Sequence, residues 1–369
     1  MAGIYIHIPF CKQRCSYCDF YSSTENRMMD TYTTALCNEL AKRKDYLNNE
    51  PVETVYWGGG TPSALQFNDF AKIFVTLVYI FGADSKREVT LEVNPDDITP
   101  DFLSTVIYFD FNRISLGVQS FNNLELKLLN RRHDAQSAIR AVELLQMRGF
   151  DNISIDLMYG LPGQSLQSWE ETLRQALTLD VQHISAYHLT YEEGTPLYGQ
   201  LKKNSITPVD EEMSNRMFEI LIDMLTAAGF EHYEISNFAR RGFQSQHNTS
   251  YWNGTYYLGI GASAHSYNGF SRRWNRKTLM PNYWSSGFEV EVLDEKMKYN
   301  DFIITRLRMM KGINLKELTL LFNESGKTYC LQQAQKYIAN GLLQCKGNYL
   351  RLTRKGIFIS DSIMSDLMR

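Results

Sequence analysis

Apolar strand-like runs alternate with helical patterns through the first 235 residues of this 369-residue sequence, and this alternation constrains the fold more than any other feature. The six strand-like runs lie at residues 3–8, 52–57, 88–93, 113–118, 153–158 and 183–189. The helical patterns lie at residues 27–48, 66–81, 100–108, 122–148, 166–179 and 210–229. Apolar strands separated by helices indicate a parallel sheet covered by helices, because parallel strands need crossover connections. Since such crossovers are right-handed, we expect this α/β sheet to curl into a barrel or most of one.

The alternation ends near residue 235, and the rest of the chain divides into two parts. Residues 236–293 are rich in Gly, Asn, Ser, Tyr and Trp, so we expect an irregular connecting segment of loops and short strands. Residues 294–369 show helical patterns at 295–310, 315–322 and 328–340, strand-like runs at 342–346 and 349–353, and a last helix. Helices followed by a small hairpin predict a mainly helical, winged-helix-like C-terminal domain.

Domains of this winged shape often bind DNA, but the charge of this sequence argues for another use. The net charge is −3, and Arg351, Arg354 and Lys355 give only a hint of a clustered basic face. We therefore expect no nucleic acid partner. The sequence also has no run of about 18 apolar residues, so we expect no integral membrane segment. Residues 4–10 are too short for a signal peptide and are interrupted by His7, which favours a cytoplasmic location.

Three cysteines, Cys11, Cys15 and Cys18, follow the first strand with the spacing C-x3-C-x2-C. Three thiolates cannot complete a tetrahedral zinc site, and their odd number resists pairing into disulfides. They could hold three corners of a 4Fe–4S cluster and leave the fourth iron open to another ligand. The plainer alternative is three ordinary thiols near the N-terminus, which is what we expect of Cys37, Cys330 and Cys345.

Polar residues stand at the ends of the later strand-like runs, where an apolar core would not select them. They are Gly58 to Thr61 after the second run, Glu92 in the third, Gln119 after the fourth, Asp156 in the fifth, and Tyr187 and His188 in the sixth. In α/β barrels, active sites form at the carboxyl ends of the strands. Glycines permit close approach of a ligand to the backbone, Glu92 can accept bonds from a ribose diol, and Arg131 can bind a carboxylate. Taken singly, each residue is better explained as structural or solvated than as a ligand, and only the shared strand-end placement favours a binding site.

These motifs, in this order, resemble the radical S-adenosylmethionine (SAM) superfamily and, within it, the oxygen-independent coproporphyrinogen III oxidase family. The matching stretches are Y-I-H-I-P-F-C at 5–11, W-G-G-G-T-P at 57–62, E-V-N-P at 92–95, G-V-Q-S-F at 117–121 and D-L-M-Y-G-L-P at 156–162. The resemblance implies a partial (β/α)6 TIM-like barrel with a mainly helical C-terminal domain. It also implies a 4Fe–4S cluster on Cys11, Cys15 and Cys18. The residues it places near SAM are Tyr5, Tyr17, Gly59, Gly60, Thr61, Glu92, Gln119, Arg131 and Asp156.

Three departures from the oxidases resemble the HemW branch, the haem chaperones related to them. Phe20 stands where the oxidases have a further cysteine, the long N-terminal extension is missing, and H-N-x-x-Y-W occurs at residues 247–252. The resemblance makes His247, Tyr251 and Trp252 candidates for haem contact, because histidine can ligate haem iron and aromatic rings can lie against the macrocycle. From chemistry alone, a structural turn followed by core aromatics is the alternative. His188 and His265 are further candidates for the iron ligand.

Two functions follow from the resemblance. The first is a haem chaperone with a SAM-bound cluster, which binds haem and passes it to an acceptor such as a respiratory protein. The cluster could also support formation of a homodimer. The second is an oxygen-independent coproporphyrinogen III oxidase, a radical SAM enzyme that decarboxylates propionate side chains. Phe20, the missing extension and the His247 motif favour the first. SAM cleavage could accompany either function.

Overall fold

The structure is a computed structural model, and it describes residues 1–82 and 87–369. In this part of the chain the strands are β1 (Ala2–Ile8), β2 (Val52–Gly59), β3 (Glu88–Val93), β4 (Arg113–Gln119), β5 (Ile153–Tyr159), β6 (His183–His188), β7 (Glu231–Glu234), β8 (Asn237–Ala239), β9 (Tyr256–Ile260), β10 (His265–Tyr267), β11 (Ser271–Asn275), β12 (Phe288–Val292), β13 (Ile313–Asn314), β14 (Leu343–Lys346) and β15 (Tyr349–Leu352).

The helices of the described residues alternate with these strands and then dominate the C-terminal part. They are α1 (Met29–Lys42), α2 (Phe67–Phe81), α3 (Pro100–Tyr108), α4 (Asn123–Leu128), α5 (Ala135–Met147), α6 (Leu166–Thr178), α7 (Pro196–Lys202), α8 (Glu211–Ala227), α9 (Gln246–Trp252), α10 (Tyr283–Ser286), α11 (Glu295–Arg308), α12 (Leu315–Ala339), α13 (Arg354–Ile357) and α14 (Ser360–Leu367). No helix among the described residues is long and apolar enough to cross a membrane.

The strands β1 to β6 form the parallel sheet that the alternation predicts, in the order of the sequence. Their residues are buried almost without interruption, as expected when helices cover the outer face and the barrel interior lies on the other. Alternate side chains of each strand point into the barrel interior. Polar side chains on this inner face at the carboxyl ends of the strands therefore lie at one opening of the barrel. The predicted partial barrel with a mainly helical C-terminal region is confirmed.

The sheet continues beyond the barrel strands on both sides, and residues 236–293 supply most of the extension. The twelve strands of this sheet follow the order β12-β11-β10-β9-β1-β2-β3-β4-β5-β6-β8-β7. β9 pairs parallel with the outer side of β1, and β8 pairs antiparallel with β6. The segment that the sequence predicted as irregular thus has short strands, and they complete the hydrogen bonding of β1 and β6.

A buried ion pair fastens this extension to the barrel. Glu39 on α1 accepts hydrogen bonds from Arg43 Nη1 (2.7 Å), Asn275 Nδ2 (2.8 Å) and Gly261 N (2.9 Å). Arg43 also donates to the carbonyl of Gly259 and to Ser266 Oγ, both at 2.8 Å. Because the two charges are paired and hydrogen-bonded on several sides, their burial is tolerated between α1 and the strands β9 to β11.

One long helix predicted from the sequence is broken in the structure. The pattern at 122–148 forms α4 and α5, with Asn130 between them at a φ of 57°. Asn122 and Asp134 cap the two helices by accepting from the backbone nitrogens of Leu124 and Ser137. The break places Arg131 in a turn that faces the barrel, which a continuous helix would not allow.

The C-terminal part combines helices with a small three-stranded sheet in the order β13-β15-β14. The predicted helices at 315–322 and 328–340 join as α12, which has non-helical backbone at Phe322 and Asn323. This part contacts the barrel through Arg354, which pairs with Asp223 on α8. Its helix α11 also contacts α9, as described below.

Candidate functional site

A cavity of about 560 Å³ opens at the carboxyl ends of β1 to β6. Eight of the nine residues that the resemblance assigns to SAM line it: Tyr17, Gly59, Gly60, Thr61, Glu92, Gln119, Arg131 and Asp156. The three cysteines line the same cavity. The ninth residue, Tyr5, lies deeper in the barrel, where its hydroxyl is 3.0 Å from His7 Nδ1 and its ring stacks on Tyr56.

The cysteine loop is held in place by hydrogen bonds that do not involve its sulfur atoms. At its base, the backbone nitrogen of Cys11 donates to the carbonyl of Ser23 at 2.9 Å. At its tip, Ser16 donates through its backbone to the carbonyl of Leu129 and through Oγ to that of Leu128. Asn130 accepts from Gln13 and donates to the carbonyl of Arg14. The cysteine loop is therefore hydrogen-bonded to the break between α4 and α5.

Two of the three sulfur atoms accept hydrogen bonds from side chains of the barrel. Thr61 Oγ1 lies 3.5 Å from Cys11 Sγ, and Arg131 Nη1 lies 3.2 Å from Cys15 Sγ. Burial raises the pKa of Cys11 above its usual value and raises that of Cys18 to about 11. Among the described residues, no three His, Cys, Asp or Glu side chains converge into a metal-binding group. The thiols thus share one cavity without closing around a centre.

Glu92 is the carboxylate at the floor of the cavity. Tyr56 donates from its hydroxyl to Oε1 at 2.7 Å, and the backbone nitrogen of Gly59 donates to Oε2 at 3.1 Å. A Cβ at Gly58 would lie 2.8 Å from the carboxyl atoms, so the carboxylate reaches this position only because residue 58 is glycine. Burial, opposed in part by the Tyr56 hydrogen bond, raises the pKa of Glu92 to about 7.

Arg131 brings a buried positive charge to the cavity wall. Its Nη2 donates to Asn94 Oδ1 at 2.6 Å and to the carbonyl of Gly117 at 2.5 Å. Its Nε has no hydrogen-bond partner among the described residues. Because the residue lines the cavity, its guanidinium is suited to an anionic or carbonyl group of a ligand.

Gln119 and Asp156 complete the polar wall from β4 and β5. Gln119 has a φ of 68°, an uncommon backbone conformation for a residue with a side chain, and it lies at a shift in the register between the two strands. Asp156 accepts from Ser115 Oγ at 3.4 Å, and burial raises its pKa. The register shift turns Gln119 toward the cavity at the point where β4 ends.

The structure does not bring His247, Tyr251 and Trp252 to this cavity. His247 lies at the amino-terminal end of the barrel and is 1% exposed, with Nδ1 2.8 Å from Thr54 Oγ1 and Nε2 2.8 Å from the hydroxyl of Tyr251. Burial lowers its pKa to about 3, so the imidazole is neutral. With both ring nitrogens hydrogen-bonded, His247 offers no free nitrogen to iron in this arrangement, and its assignment to haem stays a prediction.

The other two histidine candidates differ from each other in their surroundings. His265, on β10, is exposed and stacks on Trp274 outside the cavity. His188, at the end of β6, borders the cavity, and its Nε2 lies 3.0 Å from Ser214 Oγ. Phe20 also borders the cavity, and its ring is 64% exposed.

Sequence reasoning missed a charged cluster behind the cysteine loop. Asp97 accepts from Lys12 at 2.6 Å, from Ser63 at 2.7 Å and from Arg132 at 3.1 Å. These contacts lower the pKa of Asp97 although burial opposes them. The adjacent acidic pair at residues 96 and 97 and the basic pair at residues 131 and 132 were the available signals.

Comparison with known proteins agrees with this geometry. The radical SAM superfamily matches residues 5–176, and the HemN C-terminal domain matches residues 293–359. "Heme chaperone HemW" of Mycobacterium tuberculosis is 32% identical over 99% of this chain and 94% of its own length, and that of Escherichia coli is 33% identical over 98% and 97%. The mitochondrial "Radical S-adenosyl methionine domain-containing protein 1" of Danio rerio is 32% identical over 100% and 87%.

Among solved structures, coproporphyrinogen III oxidase (HemN) from Escherichia coli superimposes with a TM-score of 0.85. It covers 100% of this chain and 90% of its own, at 23% sequence identity, so the likeness concerns the fold. The relatives above match along nearly the whole chain at more than 30% identity. This chain therefore belongs to the HemW family of radical SAM proteins.

Proposed function

We propose that this protein is a haem chaperone that carries a SAM-ligated 4Fe–4S cluster and passes haem to an acceptor protein. The observation that carries the proposal is the composition of one cavity, where the thiols of Cys11, Cys15 and Cys18 face Glu92 and Arg131. The relatives named heme chaperones, which are similar over nearly their full length, support the haem part of the proposal. Free thiols are suited to a reducing compartment, and we propose that the protein works in one, such as the cytoplasm.

The donor set fits a cluster held by three thiolates. Arg131 and Thr61 donate to Cys15 and Cys11, and such hydrogen bonds favour the ionised form of sulfur. Burial raises the pKa of Cys11 and Cys18, so iron binding would be coupled to proton release from these thiols. When bound, the cluster supplies one-electron chemistry, while the loop contacts to residues 128–130 fix its position against the barrel.

The remaining polar groups of the cavity are suited to the parts of SAM. Glu92 is an acceptor for the ribose hydroxyls, with Asp156 beside it on the same wall. The guanidinium of Arg131, which lines the cavity, is a donor for the methionine carboxylate. Gly60 also lines the cavity, and it lets the chain after β2 pass close to the end of β1, since a side chain there would meet the carbonyl of Ile8 at 2.8 Å.

Haem would then bind at the rim of the cavity. A volume of about 560 Å³ is that of a site for one ligand, which SAM would fill. The exposed rings of Phe20 and Tyr187, 64% and 42% exposed, offer flat apolar surface at the rim for a macrocycle. The acceptor protein would take haem from this open side, and a second copy of the chain is an alternative partner there.

The test gives the purified, reduced protein haem in one assay, and coproporphyrinogen III with SAM and an electron acceptor in another, because oxidative decarboxylation consumes both co-reactants. We expect a saturable Soret shift at about one haem per chain, because a ligand bound at one rim site saturates with that stoichiometry. We expect no decarboxylation of coproporphyrinogen III. Cys15→Ala should remove the cluster absorbance, with Cys345→Ala, an exposed thiol outside the cavity, as the matched control. Unchanged iron content in Cys15→Ala would contradict the cluster assignment. Decarboxylation without tight haem binding would favour the oxidase instead.

A further inference from the structure

The ring of Tyr56 is the link between the interior of the barrel and the carboxylate of Glu92. Its hydroxyl donates to Glu92 Oε1 at 2.7 Å. Its ring is in contact with two others: the centroid of Tyr5 lies 6.1 Å away at an interplanar angle of 29°, and that of His247 lies 5.1 Å away at 26°. Because a phenol is rigid, the position of the ring decides where the hydroxyl meets the carboxylate.

His247 occupies a place that is built for a flat ring with two polar atoms. Thr54 and Tyr251 each hydrogen-bond to one ring nitrogen at 2.8 Å, and the backbone nitrogen of His247 donates to Glu88 Oε1 at 2.9 Å. Residue 3 on β1 is glycine, and a Cβ there would lie 2.8 Å from Thr54 Oγ1 and 3.2 Å from the imidazole. The imidazole is thus fixed in position and orientation by β1, β2, β3 and its own helix.

The far end of the same helix is also fixed. The carbonyl groups of Trp252 and Asn253 accept hydrogen bonds from the guanidinium of Arg306 on α11. The guanidinium of Arg308 lies 4.6 Å from the centroid of the Trp252 ring. The motif at 247–252 therefore spans from the interior of the barrel to the C-terminal helices, and none of these contacts reaches the cysteine cavity directly.

We propose that His247 is a positioning residue that acts on Glu92 through Tyr56. His247 holds the ring of Tyr56 so that the tyrosine hydroxyl meets the Glu92 carboxylate, which binds SAM. The H-N-x-x-Y-W motif would then serve the SAM site from below instead of ligating haem iron. This inference rests on the proposed function, because it takes Glu92 to be a ligand of SAM. The titratable groups that face Glu92 are Tyr5 from β1, Tyr56 from β2, Asp156 from β5, Tyr187 from β6 and Tyr251 from α9.

A double-mutant cycle on the reconstituted holoprotein tests this chain of contacts. Tyr56→Phe removes the donor to a charged acceptor and should weaken SAM binding about tenfold at pH 8. His247→Ala should produce a comparable loss, since it releases the same ring. If His247 acts through Tyr56, the double variant binds SAM no more weakly than Tyr56→Phe alone. Losses that multiply in the double variant would overturn the proposal.

The pH profile of SAM binding provides a second measurement. The Tyr56 hydroxyl stabilises the ionised form of Glu92, so its loss or displacement should move the midpoint of SAM binding to higher pH in both single variants. His183→Ala is the matched control, because His183 is equally buried and lies between Ser154 Oγ (2.7 Å) and the hydroxyl of Tyr233 (2.8 Å). It should lower the melting temperature without moving the midpoint. An equal shift of the SAM-binding midpoint in His183→Ala would show that general destabilisation causes the shift, and it would contradict the proposal.

The outcomes also separate this inference from the proposed function. If the wild-type protein binds SAM and haem, but His247→Ala loses the axial-ligand signature of haem and keeps its SAM profile, His247 ligates iron and the inference is wrong. If the wild type binds SAM and His247→Ala has no effect, the inference alone is lost. If the wild type does not bind SAM, both are lost. Should His247→Ala fail to fold, Thr54→Val removes the partner of Nδ1 and takes its place in the cycle.

Discussion

Replacing Glu92 by Gln should stabilise the ligand-free protein at alkaline pH while it weakens SAM binding. The pKa of Glu92 is raised from 4.5 to about 7 by burial. A carboxyl with a raised pKa favours the folded state below its unfolded pKa, and that contribution is lost as the pH rises through the folded value. At pH 8 the ionised carboxylate therefore costs the folded protein free energy that a neutral amide does not.

The size of the effect follows from the two pKa values. Each pKa unit corresponds to about 1.4 kcal/mol, so the full cost at pH 8 is about 3 kcal/mol. The carboxyl borders the water of the cavity, which screens part of this cost, so we expect a smaller effect. Between pH 5 and pH 8, the advantage of Glu92→Gln over the wild type in free energy of unfolding should grow by about 1 to 2 kcal/mol.

Urea unfolding of the reduced, cluster-free protein at both pH values measures this difference. Comparison of the two pH values cancels the cost of fitting the amide beside Tyr56 and Gly59, which is the same at each. Glu193→Gln, at an exposed carboxylate, is the control and should show no growth. A constant difference at pH 5 and pH 8, or a growing advantage of the wild type, would refute the argument from burial.

Two further substitutions test the packing of the site and of the sheet. Gly60→Ala should destabilise the protein by about 1 to 3 kcal/mol, because the new Cβ meets backbone atoms of Ile8 and Pro9 within 3.0 Å. The control is Gly199→Ala, in an open position of α7, which should be neutral or stabilising in the same urea experiment. Glu39→Gln should lower the free energy of unfolding by about 3 to 5 kcal/mol, because Arg43 is left buried without a counter-charge. Glu170→Gln, in the exposed pair with Arg174, should change it by less than about 1 kcal/mol. Equal losses in the two variants would contradict the role given to the buried pair.

The elements whose residues repeat with a simple period could be predicted from the sequence. The strand at 88–93 and the helix at 100–108 have the predicted bounds, since Glu88–Val93 alternates polar with apolar residues and Thr99 and Pro100 are strong start signals. The cysteines and the strand-end residues lie together because parallel strands carry their carboxyl ends to one side. That argument needs only the order of the elements.

The features that the sequence did not reveal depend on contacts between distant residues. The break at Asn130 is a single left-handed residue inside a helical pattern, and its reason is the cysteine loop more than a hundred residues earlier. The position of His247 depends on Thr54 and Glu88, which are set by the packing of the barrel. The distance of the H-N-x-x-Y-W motif from the cysteines could not be read from the spacing along the chain.

The pairing of β1 with both β2 and β9 has a consequence for the synthesis of the chain. β1 is made before the other strands of this sheet, but its second neighbour, Tyr256–Ile260, is made only after the whole barrel has been translated. Until then β1 is an open edge whose unpaired backbone can join the wrong partner. A fragment that ends at residue 235 would keep that edge permanently, so we expect it to aggregate even though it contains all three cysteines and the residues of the cavity.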